Sequence, residues 1–160
     1  MEELPLGTNA IEVETIIQSL SHELHSSKLE YLGLVTAVRG FCSEFAELQR
    51  IEIVFKSHDV PAALPKDASL CLFRVAQEAL QNSAKHSEAQ QFEVQLWATP
   101  DEIHLTASDS GAGFDPAVLR KGRGLGLISM QERLALVKGT FAIDSQAKRG
   151  TAIHARVPLS

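Results

Sequence analysis

Alternating apolar runs occur in this chain as adjacent pairs, and that arrangement constrains the fold more than any other feature. Phe92, Val94 and Leu96 form one run, and Ile103, Leu105 and Ala107 form the next, with Pro100-Asp101 between them. Period-two runs joined by a turn signal predict a hairpin. Near the end of the chain, Phe141 with Ile143, and Ile153 with Ala155 and Val157, predict a second pair around Lys148-Arg149-Gly150. Ahead of both, Ile51, Ile53 and Phe55 alternate with Glu52, Val54 and Lys56, the pattern of a half-buried strand. Helical spacing fills the intervals. Lys66 to His86 carries Leu72, Val75, Ala76, Ala79 and Leu80 on one side, and Leu127 to Val137 reads as a helix that Gly139 stops. A doubly wound fold would need regular strand–helix alternation, which is absent. Paired strands with helices between the pairs predict an α+β fold, a two-layer sandwich whose mixed sheet is covered by helices on one face.

Two more apolar stripes precede the first strand. Val13, Ile16, Ile17, Leu20 and Leu24 lie at helical spacing between Asn9 and His25, and Leu34, Val35, Val38, Phe41, Cys42, Phe45 and Leu48 follow. Each needs a partner surface, either its own domain or a second copy of the chain. A length of 160 residues suits one domain with a helical appendage. A net charge of -5 without a Lys/Arg run argues against general nucleic-acid binding. No apolar run approaches the roughly 18 residues that span a bilayer, and Met1-Glu2-Glu3-Leu4-Pro5 has no signal-peptide character, so a cytoplasmic location without membrane insertion is expected. Cys42 and Cys71 are too few for a disulfide framework or a zinc site.

Three segments hold residues suited to chemistry. On the long helix, Arg74, Glu78, Asn82 and Lys85/His86 share one face. A carboxylate and an amide oxygen one turn apart suit a hard cation such as Mg²⁺, which keeps several waters and shares phosphate ligands. Lys85 would meet those phosphates as a point charge. After the third predicted strand comes Asp109-Ser110-Gly111-Ala112-Gly113-Phe114-Asp115, where the glycines allow a close backbone approach to a flat ligand and the carboxylate could accept from an exocyclic amine. Gly122-Arg123-Gly124-Leu125-Gly126-Leu127 then opens a helix whose free N–H groups suit phosphate. It is neither a dinucleotide fingerprint nor a Walker A loop. His22-Glu23-Leu24-His25 lacks zinc-protease spacing and a third ligand, while His58, His104 and His154 read as isolated strand-face histidines.

In this order the segments resemble the ATP-binding domain of bacterial sensor histidine kinases, within the wider family of Hsp90, type II topoisomerases and mismatch-repair ATPases. Glu78-Ala79-Leu80-Gln81-Asn82-Ser83-Ala84-Lys85-His86 looks like the N box, and Asp109-Ser110-Gly111-Ala112-Gly113-Phe114 like the first glycine box. The segment from Gly122 to Leu127 looks like the second, and Lys148-Arg149-Gly150-Thr151 like the terminal Gly-Thr element. Asn82-x-x-Lys85-His86 with Gly126-Leu127-x-x-Met130-x-Glu132-Arg133 is similar to the nitrate-sensor and desaturase-thermosensor branch.

The resemblance implies a Bergerat-type fold and roles for single residues. Asp109 would recognise the adenine amine with Thr151 nearby, and Gly111 and Gly113 would leave room for the ring. Asn82 would ligate Mg²⁺, with Glu78 positioning a metal-bound water or assisting the transfer, and Lys85 and His86 contacting phosphate or ribose. Gly122, Gly124, Gly126 and the amide of Leu127 would hold the phosphate chain. It divides the chain into residues 1–48, part of a helical dimerisation region, and residues 49–160, an ATP-binding kinase domain. The implied partners are ATP or ADP, the phosphoacceptor hairpin of a parent kinase that is itself membrane-attached in some relatives, a response regulator and a second copy in a homodimer. The phosphoacceptor histidine is expected upstream of this chain rather than at His22 or His25. An anti-sigma-factor serine kinase and a nucleotide-responsive dimerisation module are the alternatives.

Overall fold

The computed structural model describes residues 29, 32–86, 89–110, 125–146 and 150–159, and the side chains of 85, 86, 125–127, 145 and 146 fall outside that description. The expected helix between Asn9 and His25, and with it His22 and His25, therefore lies outside the described residues.

Among the described residues, three helices and five strands follow the predicted order. They are α1 (Leu34–Gln49), β1 (Glu52–His58), α2 (Lys66–His86), β2 (Gln91–Ala98), β3 (Glu102–Asp109), α3 (Leu125–Leu136), β4 (Thr140–Gln146) and β5 (Gly150–Pro158). The strands form one mixed sheet in the order β1-β2-β3-β5-β4. Only β1 and β2 are parallel, with α2 as their crossover; the other three pairings are antiparallel. The β2–β3 hairpin turns where Pro100-Asp101 predicts, closed by the Thr99 N–H donating to the Glu102 carbonyl at 2.9 Å.

Burial follows the two-residue period. Phe92, Val94 and Leu96 of β2, Ile103, Leu105 and Ala107 of β3, and Ile153, Ala155 and Val157 of β5 all face the helices. The alternate positions, among them Glu93, Gln95, Thr106 and Arg156, lie on a face that no described helix covers. Helix α2 packs between α1 and α3 and across β3 and β5.

Helix α1 buries Leu34, Ala37, Val38, Phe41 and Cys42 in the same core as the sheet. Its stripe is thus covered by its own domain, through α2 and β1. Phe41 stacks on Phe45 at 5.4 Å and meets Phe73 of α2 edge-on at 6.3 Å. Leu48, at the far end, is 78% exposed. The helix ends with Arg50 in the left-handed conformation, φ 55, and the Ile51 N–H returns to the Ala46 carbonyl at 3.1 Å. A division of the chain at residue 48 falls at the end of this packed helix.

Gly139 ends α3 as expected, its N–H donating to the Leu134 carbonyl at 2.7 Å. The left-handed residue is Lys138, φ 59. Gly139 is needed for space, since a Cβ there would lie 2.7 Å from the Arg156 carbonyl and 2.9 Å from the Leu134 side chain. The chain can turn into β4 only by passing that close to β5.

Because Phe41 bridges α1 to the main core, Phe41→Ala should cost about 3–5 kcal/mol of global stability. Urea unfolding checks this: one cooperative transition with a lower midpoint is expected, whereas an independently folding α1 would leave the midpoint unchanged.

Candidate functional site

From Cys71 to Leu80 every residue of α2 is buried except Arg74 and Glu78, which are half-buried one turn apart. Asn82 continues the stripe on the next turn, also half-buried. The sequence therefore places three polar side chains on the one flank of α2 that the core leaves open. Burial pushes the Arg74 guanidinium below its ordinary value, the nearby Arg133 of α3 adds to that shift, and Glu78 opposes it. The Glu78 carboxylate thus lies in the field of Arg74, with a second guanidinium approaching from α3. Arg74 Nη1 also donates to Gln77 Oε1 at 3.3 Å.

A second group gathers where β3 ends. Asp109 pairs with Thr151 of β5 in the antiparallel ladder. By strand parity it lies on the helix-facing side with Ile103, Leu105 and Ala107. Its Oδ2 is shielded from solvent, and Thr151 is buried beside it. Gly150 has φ +92, and a Cβ there would lie 2.1 Å from the Asp109 carbonyl oxygen. Only glycine lets β5 start against Asp109 in this way. A cleft of about 330 Å³ runs from Asp109 and Ser110 to Gln91 and Glu52 at the starts of β2 and β1.

Helix α3 begins at Leu125, two residues before the expected start. Gly126 and Leu127 consequently sit in its first turn, where backbone N–H groups have no acceptor inside the helix and suit an anion. No group of three His, Cys, Asp or Glu among the described residues is arranged to hold a metal. A cation at Asn82 would accordingly take most of its shell from water and ligand phosphates, which is how Mg²⁺ commonly binds. The amide of Asn82 and the carboxylate of Glu78 fit that chemistry. The thiols offer no nucleophile: burial pushes Cys42 up to about 12 and Cys71 up to about 11.

Residues 68–160 match the family described as histidine kinase-, DNA gyrase B- and HSP90-like ATPases. The chain belongs to that family. Sensor histidine kinase MctS of Rhizobium johnstonii is 38% identical over 148 residues, covering 90% of this chain and 32% of the relative. Oxygen sensor histidine kinase NreB of Staphylococcus carnosus is 36% identical over 144 residues, covering 90% of this chain and 42% of the relative. The chain spans less than half the length of either. The histidine kinase domain of a blue-light activated kinase from Erythrobacter litoralis EL346 superposes with a TM-score of 0.64 at 15% identity, over 94% of this chain and 86% of that one, and shares the fold.

Within this ATPase domain the structure unites some of the sequence-derived site residues and is silent on others. Glu78 and Asn82 share a face, Asp109 and Thr151 are cross-strand partners, and Gly126 and Leu127 open α3. The backbones of Lys85 and His86 complete the last turn of α2, while their side chains, with Gly111, Gly113, Gly122 and Gly124, lie outside the described residues.

Two features escape a reading of the sequence. Gln77 is 0% exposed and its Nε2 makes no hydrogen bond among the described residues; its position between Ala76 and Glu78 is the only signal. His104 and His154, read as isolated, are in contact with each other at 2.9 Å. Nothing in a single sequence announces the register that joins two strands 50 residues apart.

Gly150→Ala must strain a left-handed backbone and push β5 from Asp109. A loss of about 1–3 kcal/mol is expected for the backbone conformation alone, read as a lower urea midpoint. Gly40→Ala, where nothing lies within 4 Å of the new Cβ, is the matched control and should not destabilise.

Proposed function

We propose that this domain binds Mg-ATP and presents the γ-phosphoryl group to a histidine on a dimerisation hairpin, in two-component signalling. The half-buried Glu78–Asn82 stripe, on a helix otherwise enclosed from Cys71 to Leu80, carries this reading. A polar stripe kept at the edge of a core, in a domain that also offers a helix start with free first-turn N–H groups, suits a phosphorylated ligand better than it suits packing.

Asp109, shielded and fixed against Thr151, accepts from the adenine amine and orients the base. Asn82 offers its amide oxygen to Mg²⁺, which when bound neutralises phosphate charge. Lys85 and His86, one turn further along α2, meet the phosphates or ribose, and the first-turn amides at Gly126 and Leu127 hold the phosphate chain. Gly111, Gly113, Gly122 and Gly124 belong to the loops around base and phosphates. Glu78 positions a metal-bound water or assists the transfer to the attacking imidazole. Phosphoryl transfer asks little covalent chemistry of a protein, so positioning and charge neutralisation do most of the catalysis. The acceptor histidine lies upstream of this chain. The dimerisation region proposed for residues 1–48 reaches the sheet through α1, and a response regulator receives the phosphoryl group.

Titration with ATP or ADP, with and without Mg²⁺, tests the site. Asp109→Asn should weaken nucleotide binding at least tenfold, a loss of about 1.4 kcal/mol or more. Asn82→Ala should remove the Mg²⁺ dependence while leaving ADP bound through its base. Absence of nucleotide binding by the folded wild-type chain would overturn the proposal. With γ-labelled ATP and a full-length parent kinase, label that is acid-labile and alkali-stable marks phosphohistidine. Acid-stable label would instead favour a serine kinase.

A further inference from the structure

The open face of the sheet carries a cluster that the nucleotide site does not use. Trp97 of β2 pairs directly with His104 of β3, and His154 of β5 lies diagonally beyond, opposite Thr106. The rings are close to parallel. Trp97 and His104 have centroids 4.9 Å apart at 4°, Trp97 and His154 5.6 Å apart at 28°, and the two imidazoles 5.1 Å apart at 28°. His104 Nδ1 and His154 Nε2 face each other at 2.9 Å, hydrogen-bond distance. On the other side of the His104 ring, Glu102 Oε1 lies 4.0 Å from Nε2.

We propose that His104 and His154 form a proton-binding site that clasps β3 to β5 while a single hydrogen occupies the gap between their facing nitrogens, and that opens when both imidazoles are charged. Glu102 favours the N–H of His104 at Nε2. That leaves Nδ1 as an acceptor for the N–H at Nε2 of His154. One added proton is accommodated: His104 becomes an imidazolium donating from Nδ1, and His154 carries its own proton at Nδ1 and accepts at Nε2. A second proton puts an N–H on both facing nitrogens and a positive charge on both rings. A 2.9 Å contact cannot survive that.

The surrounding charges oppose the second proton. Arg156 of β5 stands opposite His104 in the ladder. Burial first, then His104 and Arg156, hold the His154 imidazole below its ordinary 6.5, against the opposite pull of Glu102. His58 of β1 stands directly opposite Trp97 in the ladder; further out on this face are Lys56 of β1, Glu93 of β2 and Asp144 of β4, with Lys56 and Glu93 paired at 3.4 Å. A group whose pKa is depressed by folding stabilises the fold fully above its unfolded value. That stabilisation is lost as pH falls through the folded one. The clasp is therefore closed at neutral pH and opens in acid.

Trp97 is the single tryptophan of the chain, so its emission reports the stack. In the full chain titrated from pH 8 to 5, a step in Trp97 emission is expected with its midpoint below 6.5, because the second proton opens the clasp and disturbs the stack on the indole. The melting temperature should fall over the same range by roughly 3 °C or more. Either His104→Gln or His154→Gln should abolish the emission step, because neither variant can put two charged imidazoles at the clasp. Either substitution should flatten the pH dependence of melting. If neither variant folds, the assigned imidazole resonances of the wild-type chain decide the matter, one of the two titrating below 6.5. Flat Trp97 emission, or two imidazoles titrating independently near 6.5, would overturn the proposal.

Discussion

The seating of α2 on the sheet is the interaction on which the rest of the molecule depends. Leu72, Phe73, Val75, Ala76, Ala79 and Leu80 are all buried in that interface or against the flanking helices. Ala76 and Ala79 keep the helix close to the strands, and Phe73 reaches sideways to Phe41. Close packing makes such a core intolerant of volume changes. It also fixes the rotation of α2 about its axis. That rotation decides which flank stays open, and hence that Arg74, Glu78 and Asn82 stand at the margin of the core. The polar stripe is placed by its apolar neighbours rather than by its own contacts.

The strands do a complementary task. Asp109 and Thr151 belong to different strands, yet the antiparallel register of β3 and β5 sets them side by side. Gly150 permits that meeting because no Cβ intervenes at the Asp109 carbonyl. A helix flank, a strand end and a helix start would thus supply the parts of the proposed site, each from an element whose position is fixed by packing elsewhere. In this respect the family's chemistry rests on a scaffold that is itself ordinary in its physics.

Much of this was legible before any coordinates. Two-residue alternation marked all five strands, Pro100-Asp101 marked the hairpin, and the spacing of Leu72, Val75, Ala76, Ala79 and Leu80 marked the buried side of α2. Residues on one local element, such as Glu78 and Asn82, could be grouped because helical geometry alone relates them. Contacts that depend on register were not legible in the same way. Asp109 and Thr151 were brought together only through a family resemblance. His104 and His154 were separated entirely, since nothing in the chain states which strand lies beside which. The partner of α1 was likewise open, because an apolar stripe specifies that it must be covered and leaves unsaid by what.

The one parallel pairing in the sheet carries a cost in time. β2 and β3 meet through a two-residue turn, a contact that forms in microseconds in an isolated hairpin. β1 has no such route: Glu52 and Gln91, joined across the parallel pair by a side-chain hydrogen bond, are 39 residues apart in sequence. Closing that loop spends chain entropy before any strand contact rewards it. The helix between them must be wound and seated for the two strands to lie level. β1 therefore joins the sheet only once α2 is wound and seated, and α1, which packs on it, is committed to the same order.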